Sequence, residues 1–311
     1  MEYTAFMRIA VLGAGGVGGY YGGTLARAGH AVALLARGAH LDALRARGLE
    51  VRTPEERFTV AVEASDDPKT FGECDLAIVA VKTYSLMEVA PAARVLAASG
   101  AAILPLLNGV EAMDRLIESG VSQSQVLGGL TQVSVVRVGP GVVERKSPFQ
   151  RVAVGERAGK SSERVRRIVD AFQQAGAEAR VSEDILADLW RKFAFIAPMA
   201  AACGLARAPI GPVRDAPYGK LLLTRAVREV LAVARARGLS LAEEEETKIL
   251  AFMDGLGGGM KPSFLVDLEA GGLTELEDLS GAVSRLGREA GVETPVHDTA
   301  TAALSAAVKG R

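Results

Sequence analysis

The sequence predicts an α/β protein, a doubly wound and largely parallel sheet over residues 7–182 followed by an all-α domain over 183–311. Three observations carry this. The segment from Met7 to Arg37 reads strand, glycine-opened helix, strand, which is one βαβ unit. Strand and helix patterns then alternate to about residue 182. Beyond 183 the strand patterns stop, and the remainder is rich in Ala, Leu, Glu and Arg with helical spacing.

RIAVLG is the first apolar strand, GGVGGYYGGTLARAG the helix and HAVALLAR the second strand. GLEVRT and RFTVAVEA flank a Pro-Glu-Glu turn as a hairpin, and DLAIVAVK is a continuous apolar strand of the kind buried on both faces. A helix over 85–98 leads to AAILPLLNG, whose Pro105 marks a strand end, because proline cannot donate to a central ladder. VLGGLTQVSVVRV, GVVERK and RVAVGE, with a Gly-Pro-Gly turn between the first two, read as antiparallel strands at the edge of the same sheet. A helix over 162–175 and the short strand EARVS close the domain. Helices are expected near 183–203, 217–237, 241–255, 274–290 and 296–308, with GLGGGMKP as the chief break, and 1–6 reads as a short extension ahead of the fold or an upstream start.

Length and charge narrow the functions. A chain of 311 residues accommodates two domains, and 36 Lys plus Arg against 37 Asp plus Glu leave a net charge of -1. No overall field points to nucleic acid or an anionic membrane, whereas a small neutral or anionic metabolite needs only local charge. Cys74 and Cys203 lie in apolar surroundings without partner spacing, as reduced thiols of a cytoplasmic protein do, and His30, His40 and His297 form no ligand pair, so no metal is expected. The longest uncharged run, 193–206, contains Pro198 and Gly204 and is too short to span a bilayer. The acidic run 243–246 reads as a solvated helix face, and the Ala-rich helices leave room for a homodimer.

GAGGVG, from Gly13 through Ala14, Gly15, Gly16 and Val17 to Gly18, has GxGxxG spacing directly after a strand and at the opening of a helix. The first glycine turns the chain off the strand, the second lets backbone approach a pyrophosphate, and the third lets helix pack on strand. Free amides at the helix start would meet the phosphates. The second strand ends at Arg37, with no carboxylate before Asp42. An arginine there suits a ribose 2'-phosphate and so NADP(H) over NAD; alternatively it is an ordinary strand-end cation. In open parallel sheets ligands collect beyond the carboxyl ends of the strands. Lys82 and Asn108 stand there, although a solvated lysine and an Asn-Gly turn are the plain alternatives.

LWRKFAFIAPMAAACGL sets Arg191 and Lys192 at the lip of an apolar helix. Lys192 shares a face with Leu189 and Ile196, while Arg191 is turned away by about 100°. A snorkelling lysine is the plain reading, and a proton donor beside a dry cleft is the chemical one.

Taken together these segments resemble the ketopantoate reductase (2-dehydropantoate 2-reductase) family from Met7 to about residue 308. The carriers are GAGGVG, the lysine of VAVK, the NG of LLNGV, LADLWRK, the serine of KPSFLVDLEAG, and TELEDLSG. The resemblance implies a Rossmann-type domain joined to a helical domain like the C-terminal domain of 6-phosphogluconate dehydrogenase, with the active site in the cleft between them. It implies NADPH as hydride source for a 2-oxo acid, 2-dehydropantoate becoming (R)-pantoate in pantothenate synthesis. Lys192 would then be the general acid. Asn108 and Lys82 would lie at the nicotinamide end, and Ser263 and Glu275 would bind substrate and cofactor, although Glu275 after Thr274 also reads as first-turn electrostatics.

One departure bears on the substrate. Family members that reduce ketopantoate carry asparagines four and eight residues after the lysine, where this chain has Ile196 and Ala200, and their helix proline is displaced here to Pro198. An amide hydrogen bond lost from a polar substrate costs roughly 1 to 3 kcal/mol. The sequence therefore keeps open a relative that reduces a more apolar ketone or 2-oxo acid, and a non-catalytic NADP(H)-binding sensor.

Overall fold

The computed structural model describes residues 6–159 and 161–307, so the extension expected at 1–6 lies outside the described residues apart from Phe6. The chain forms two compact units, Met1–Leu107 with Glu111–Ile185, and Asn108–Val110 with Leu186–Arg311. The boundary expected at 182/183 thus moves to 185/186. Asn108–Val110 leaves the first unit because Asn108 bonds to Lys192 and Glu275 and Val110 packs on the second core.

The first unit begins with β1 (Arg8–Leu12), α1 (Gly16–Arg27), β2 (Ala31–Leu35), α2 (Gly38–Arg47), β3 (Leu49–Arg52), β4 (Arg57–Val60) and β5 (Glu63–Ser65). It continues with β6 (Leu76–Val79), α3 (Leu86–Ala98), β7 (Ala102–Pro105), α4 (Ala112–Glu118), β8 (Leu127–Gln132), β9 (Val135–Gly139) and β10 (Val142–Arg145). β11 (Arg151–Glu156), α5 (Glu163–Gln174) and β12 (Glu178–Val181) complete it. Five strands make a parallel sheet in the order β5-β2-β1-β6-β7, with Ala10 of β1 opposite Ala33 and Ala77. Its central strands are apolar apart from Arg8 at the start of β1, as in sheets covered on both faces, and β6 is buried at every residue. β7 ends on Pro105, where the missing amide costs the ladder nothing.

The edge differs from the expectation. β8 and β11 are antiparallel and β12 is parallel to β11, in a separate three-stranded sheet whose β8 packs close beside β7, with an isolated bridge from Ile103 to Val126. β9 and β10 leave it altogether and join the β3–β4 hairpin in a four-stranded sheet, β4-β3-β10-β9, with β10 parallel to β3. The run 57–64 also splits, β4 staying in the hairpin while β5 pairs with β2. The cause is α1, whose glycines form a groove for this second layer. A Cβ on Gly19 would stand 2.7 Å from Val143 Cγ1, and one on Gly23 would stand 2.5 Å from Val51 Cγ2.

The second unit holds α6 (Ile185–Ala206), α7 (Ile210–Asp215), α8 (Gly219–Ala236), α9 (Glu245–Asp254), α10 (Ser263–Glu269), α11 (Ser280–Ala290) and α12 (Pro295–Ser305), although the first residue of α6 is counted with the first unit. α6 has the length and hydropathy of a membrane span, but 67% of its apolar window is buried within the protein, as befits a core helix. Trp190, Phe193, Ala197 and Ala201 on it pack with Val227, Phe264 and Val283. α7 and α10 are short helices outside the expected set. α11 starts at Ser280 rather than 274, because residues 276–279 form a turn closed by the Leu279 amide on the Glu275 carbonyl, 3.0 Å.

Candidate active site

The candidate site residues fall mainly into two clusters, one in each unit. In the first, Gly13 leaves β1 with φ +106, and a Cβ there would sit 2.5 Å from Val81 Cγ1 and 2.9 Å from the Ala80 carbonyl oxygen. The turn after β1 therefore lies directly against the chain leaving β6. At Gly18 a Cβ would meet the Gly13 carbonyl oxygen at 2.1 Å, so that glycine lets α1 close on the strand, and at Gly16 it would meet the Val135 carbonyl oxygen at 2.5 Å. Gly15 is different: a Cβ would meet nothing within 4 Å. Gly15 is also the N-cap of α1 and offers no side chain to the first-turn amides. First-turn amides of a helix have no intrahelical partner, and the space beside Gly15 is open, so the turn fits a dinucleotide. Ala14 is buried and Val17 packs against the core of the unit.

Arg37 follows β2 as the exposed N-cap of α2, on the same carboxyl edge of the sheet. β6 stops at Val79, so Lys82 lies three residues past the strand rather than at its end, as the N-cap of a 3-10 turn over Thr83–Ser85. His40, in the first turn of α2, binds the Ala14 carbonyl through Nε2 at 2.8 Å and accepts the Gly141 amide at Nδ1, 2.9 Å. Nothing in the local sequence pattern marks that histidine, because both of its partners are distant backbone groups.

In the second unit Lys192, Asn108 and Glu275 form a line. Lys192 Nζ donates to Asn108 Oδ1 at 3.1 Å, and Asn108 Nδ2 donates to Glu275 Oε2 at 2.9 Å. This orientation of the carboxamide is the one that satisfies both charges, since a flipped amide would set NH2 against the ammonium and oxygen against the carboxylate. Asn108 reaches its place through Gly109, whose φ of +81 and 3.1 Å approach of a Cβ to the Asp278 carbonyl oxygen would strain any side chain there. Glu275 is 2% exposed and sits ahead of the turn into α11, not on a helix start, so first-turn electrostatics do not explain it. Beside it Thr274 Oγ1 is buried without a partner among the described residues.

Burial pushes the Lys192 ammonium down from its ordinary 10.5 to about 8, against the opposing attraction of Glu275. Leu189 on the same face is buried, and Ile196 and Ala200 continue it as partly and fully buried apolar side chains. Arg191 turns away and pairs with Asp188, 3.1 Å, and with Glu245, 2.9 Å. Glu245 is therefore a buried helix-packing partner, which corrects the solvated reading of 243–246 at that residue. Ser263 is the exposed first residue of α10, and no hydrogen bond joins it to the Lys192 line among the described residues.

Comparison with known proteins adds to this geometry. The family described as Ketopantoate reductase PanE/ApbA matches residues 9–159, and its C-terminal counterpart, Ketopantoate reductase PanE/ApbA C terminal, matches 184–308. The chain is 33% identical to the 2-dehydropantoate 2-reductase of Halobacterium salinarum over 93% of its own length and 95% of that protein's. It is 31% identical to an uncharacterised oxidoreductase of Bacillus subtilis, YkpB, over 96% and 98%. Among solved structures, the 2-dehydropantoate 2-reductase of Geobacter metallireducens superposes with a TM-score of 0.89 at 28% identity, covering 96% of this chain and 99% of that one.

Proposed function

This chain belongs to the ketopantoate reductase family and is an oxidoreductase acting on the alcohol–carbonyl couple, and we propose that it reduces a 2-oxo acid with NADPH, using Lys192 as the proton donor. The observation that carries the proposal is the Lys192–Asn108–Glu275 line. When bound, NADPH supplies the hydride. The residues of the chain do the rest. As negative charge builds on the carbonyl oxygen, the Lys192 ammonium stabilises it and then gives up a proton, which burial makes easier than it is for a lysine in water. Asn108 fixes the ammonium in one direction, and Glu275 keeps it charged until it acts. Ser263 and the Glu275 side of the cluster would bind substrate and cofactor. The Gly13–Gly18 turn would take the pyrophosphate, with Lys82 and Asn108 toward the nicotinamide. Arg37 would read the 2'-phosphate, which favours NADPH over NADH.

The family's reaction, 2-dehydropantoate to (R)-pantoate in pantothenate and coenzyme A synthesis, is the first assignment. A more apolar 2-oxo acid or ketone is the second, favoured specifically by Ile196 and the buried Ala200 one and two turns beyond the lysine. A sensor without catalysis would have no use for a depressed lysine held by Asn108, with Glu275 behind that carboxamide. The free, buried Cys74 and Cys203 fit a reducing cytoplasm. A small carbonyl compound is the partner, without nucleic acid or membrane, and the Ala-rich helices are where a homodimer would form. The test is NADPH consumption on a panel running from 2-dehydropantoate to bulkier apolar 2-oxo acids. At least one should be turned over, and Lys192→Ala should slow that turnover by roughly 10²- to 10⁴-fold. A panel consumed equally by the Ala variant would refute the assignment of the proton donor.

A further inference from the structure

We propose that His40 is a positioning residue of the dinucleotide site, tying the glycine-rich turn to the β9–β10 hairpin so that the geometry presented to the phosphates is set from both sides. The inference rests on the reading of that turn as a nicotinamide dinucleotide site. Its evidence is separate. The Gly141 amide can only donate, so His40 Nδ1 accepts it at 2.9 Å and the ring proton sits on Nε2, where it is donated to the Ala14 carbonyl at 2.8 Å. One neutral imidazole, 6% exposed, thus joins three segments far apart in the chain. Burial and the Arg137 guanidinium both hold the ring below the usual histidine range, which keeps it in the neutral form that this bonding needs.

The hairpin is not a passive neighbour of the turn. Val135 of β9 lies so close over α1 that its carbonyl would meet a Cβ on Gly16 at 2.5 Å, and Gly141 between β9 and β10 has φ +74, a conformation that suits glycine. The turn is therefore bounded by β9 at Gly16 and pulled by its Ala14 carbonyl toward Gly141. Cutting the histidine link frees the Ala14 peptide plane, and with it the direction of the next amides, which belong to Gly15 and Gly16. Because those amides stand at the uncapped start of α1, beside the open space at Gly15, the loss should appear in cofactor affinity.

The test is made on the full chain with NADPH, by fluorescence titration and by kinetics. His40→Leu fills the same space without hydrogen bonds and should raise the Kd about tenfold or more, with the loss falling on KM for NADPH rather than on kcat. His40→Gln offers a carboxamide oxygen to Gly141 and an NH2 to Ala14, and should recover most of the affinity. In the unaltered protein, saturating NADPH should slow hydrogen exchange of the Gly141 amide; this readout decides the question if the Leu variant does not fold. Unchanged affinity in a folded Leu variant, a Gln variant no better than Leu, or unchanged exchange at Gly141 would each overturn the proposal. If the unaltered chain binds neither NADPH nor NADH, the functional reading falls together with it, whereas tight binding indifferent to His40 overturns this inference alone.

Discussion

Replacing Glu275 by Gln removes one charge from the site while keeping an oxygen to accept from Asn108. In the unaltered protein the Lys192 ammonium loses its proton at about 8 instead of 10.5, with burial as the main cause and Glu275 opposing it. That displacement disfavours the ammonium by about 3 kcal/mol. The 3.1 and 2.9 Å bonds on either side of a single carboxamide put the two charges at most about 8 Å apart, where an effective dielectric of about 20 gives an attraction of roughly 2 kcal/mol. Without the charge, deprotonation of Lys192 should move down by a further one pH unit or slightly more, at about 1.4 kcal/mol per unit.

The sign follows from the proposed role. A general acid must carry its proton, so the rate of carbonyl reduction falls as pH rises through the lysine value. The pH profile of kcat/KM for the carbonyl substrate, measured with NADPH saturating, should therefore lose activity above about 8 in the unaltered protein. In Glu275→Gln the same limb should lie about one unit lower, and the variant should be the more active of the two only in relative terms at low pH. A limb that stays in place in the variant, or one that lies near 10.5 in both proteins, would refute the electrostatic argument.

Three further outcomes follow from the geometry. Arg37→Ala should raise the Kd for NADPH roughly ten- to a hundredfold and leave NADH binding unchanged, as competitive titration of the two cofactors would show. Gly13→Ala forces a Cβ into the Ala80 carbonyl at 2.9 Å and holds alanine at φ +106, so dinucleotide binding should be lost and thermal unfolding should come earlier, by a few degrees for a cost of about 1 to 3 kcal/mol. Ile196→Asn returns an amide one turn beyond Lys192; kcat/KM should rise for 2-dehydropantoate and fall for apolar 2-oxo acids, about tenfold in their ratio, and an unmoved ratio on the substrate panel would show that this wall does not touch substrate.

The sequence makes some of this legible because the governing interactions are local. Strand, glycine turn and helix from Arg8 to Arg27 follow from chain geometry, and Pro105 ends its strand for want of an amide. What escaped reading depends on contacts made across the fold. Gly19 and Gly23 look like weak helix residues until Val143 and Val51 are seen to need their absent side chains, and that packing draws β9 and β10 away from the parallel sheet. Glu245 reads as one of four solvated glutamates until Arg191 reaches it. His40 carries no local mark, since it bonds to backbone 26 and 101 residues away. At Asn108 the turn reading holds, since Gly109 makes the turn, and that turn also sets the carboxamide between Lys192 and Glu275.

On the proposed role of Lys192, that amide also accounts for how a lysine would serve at neutral pH. A carboxylate in direct contact with Lys192 would bind the proton too firmly, raising the ammonium back toward its value in water and weakening it as an acid. With no anion near, burial alone would leave a smaller fraction of the amine protonated at neutral pH, and so fewer molecules with a proton to give. Placing Asn108 between Lys192 and Glu275 separates the charges by one carboxamide, so the attraction is reduced without being lost. The ammonium then deprotonates at about 8, close to the pH at which a proton donor both holds its proton and releases it readily. Moving the carboxylate into contact, as Asn108→Asp would do, should raise that value and slow proton transfer, even though the protein would gain an ion pair.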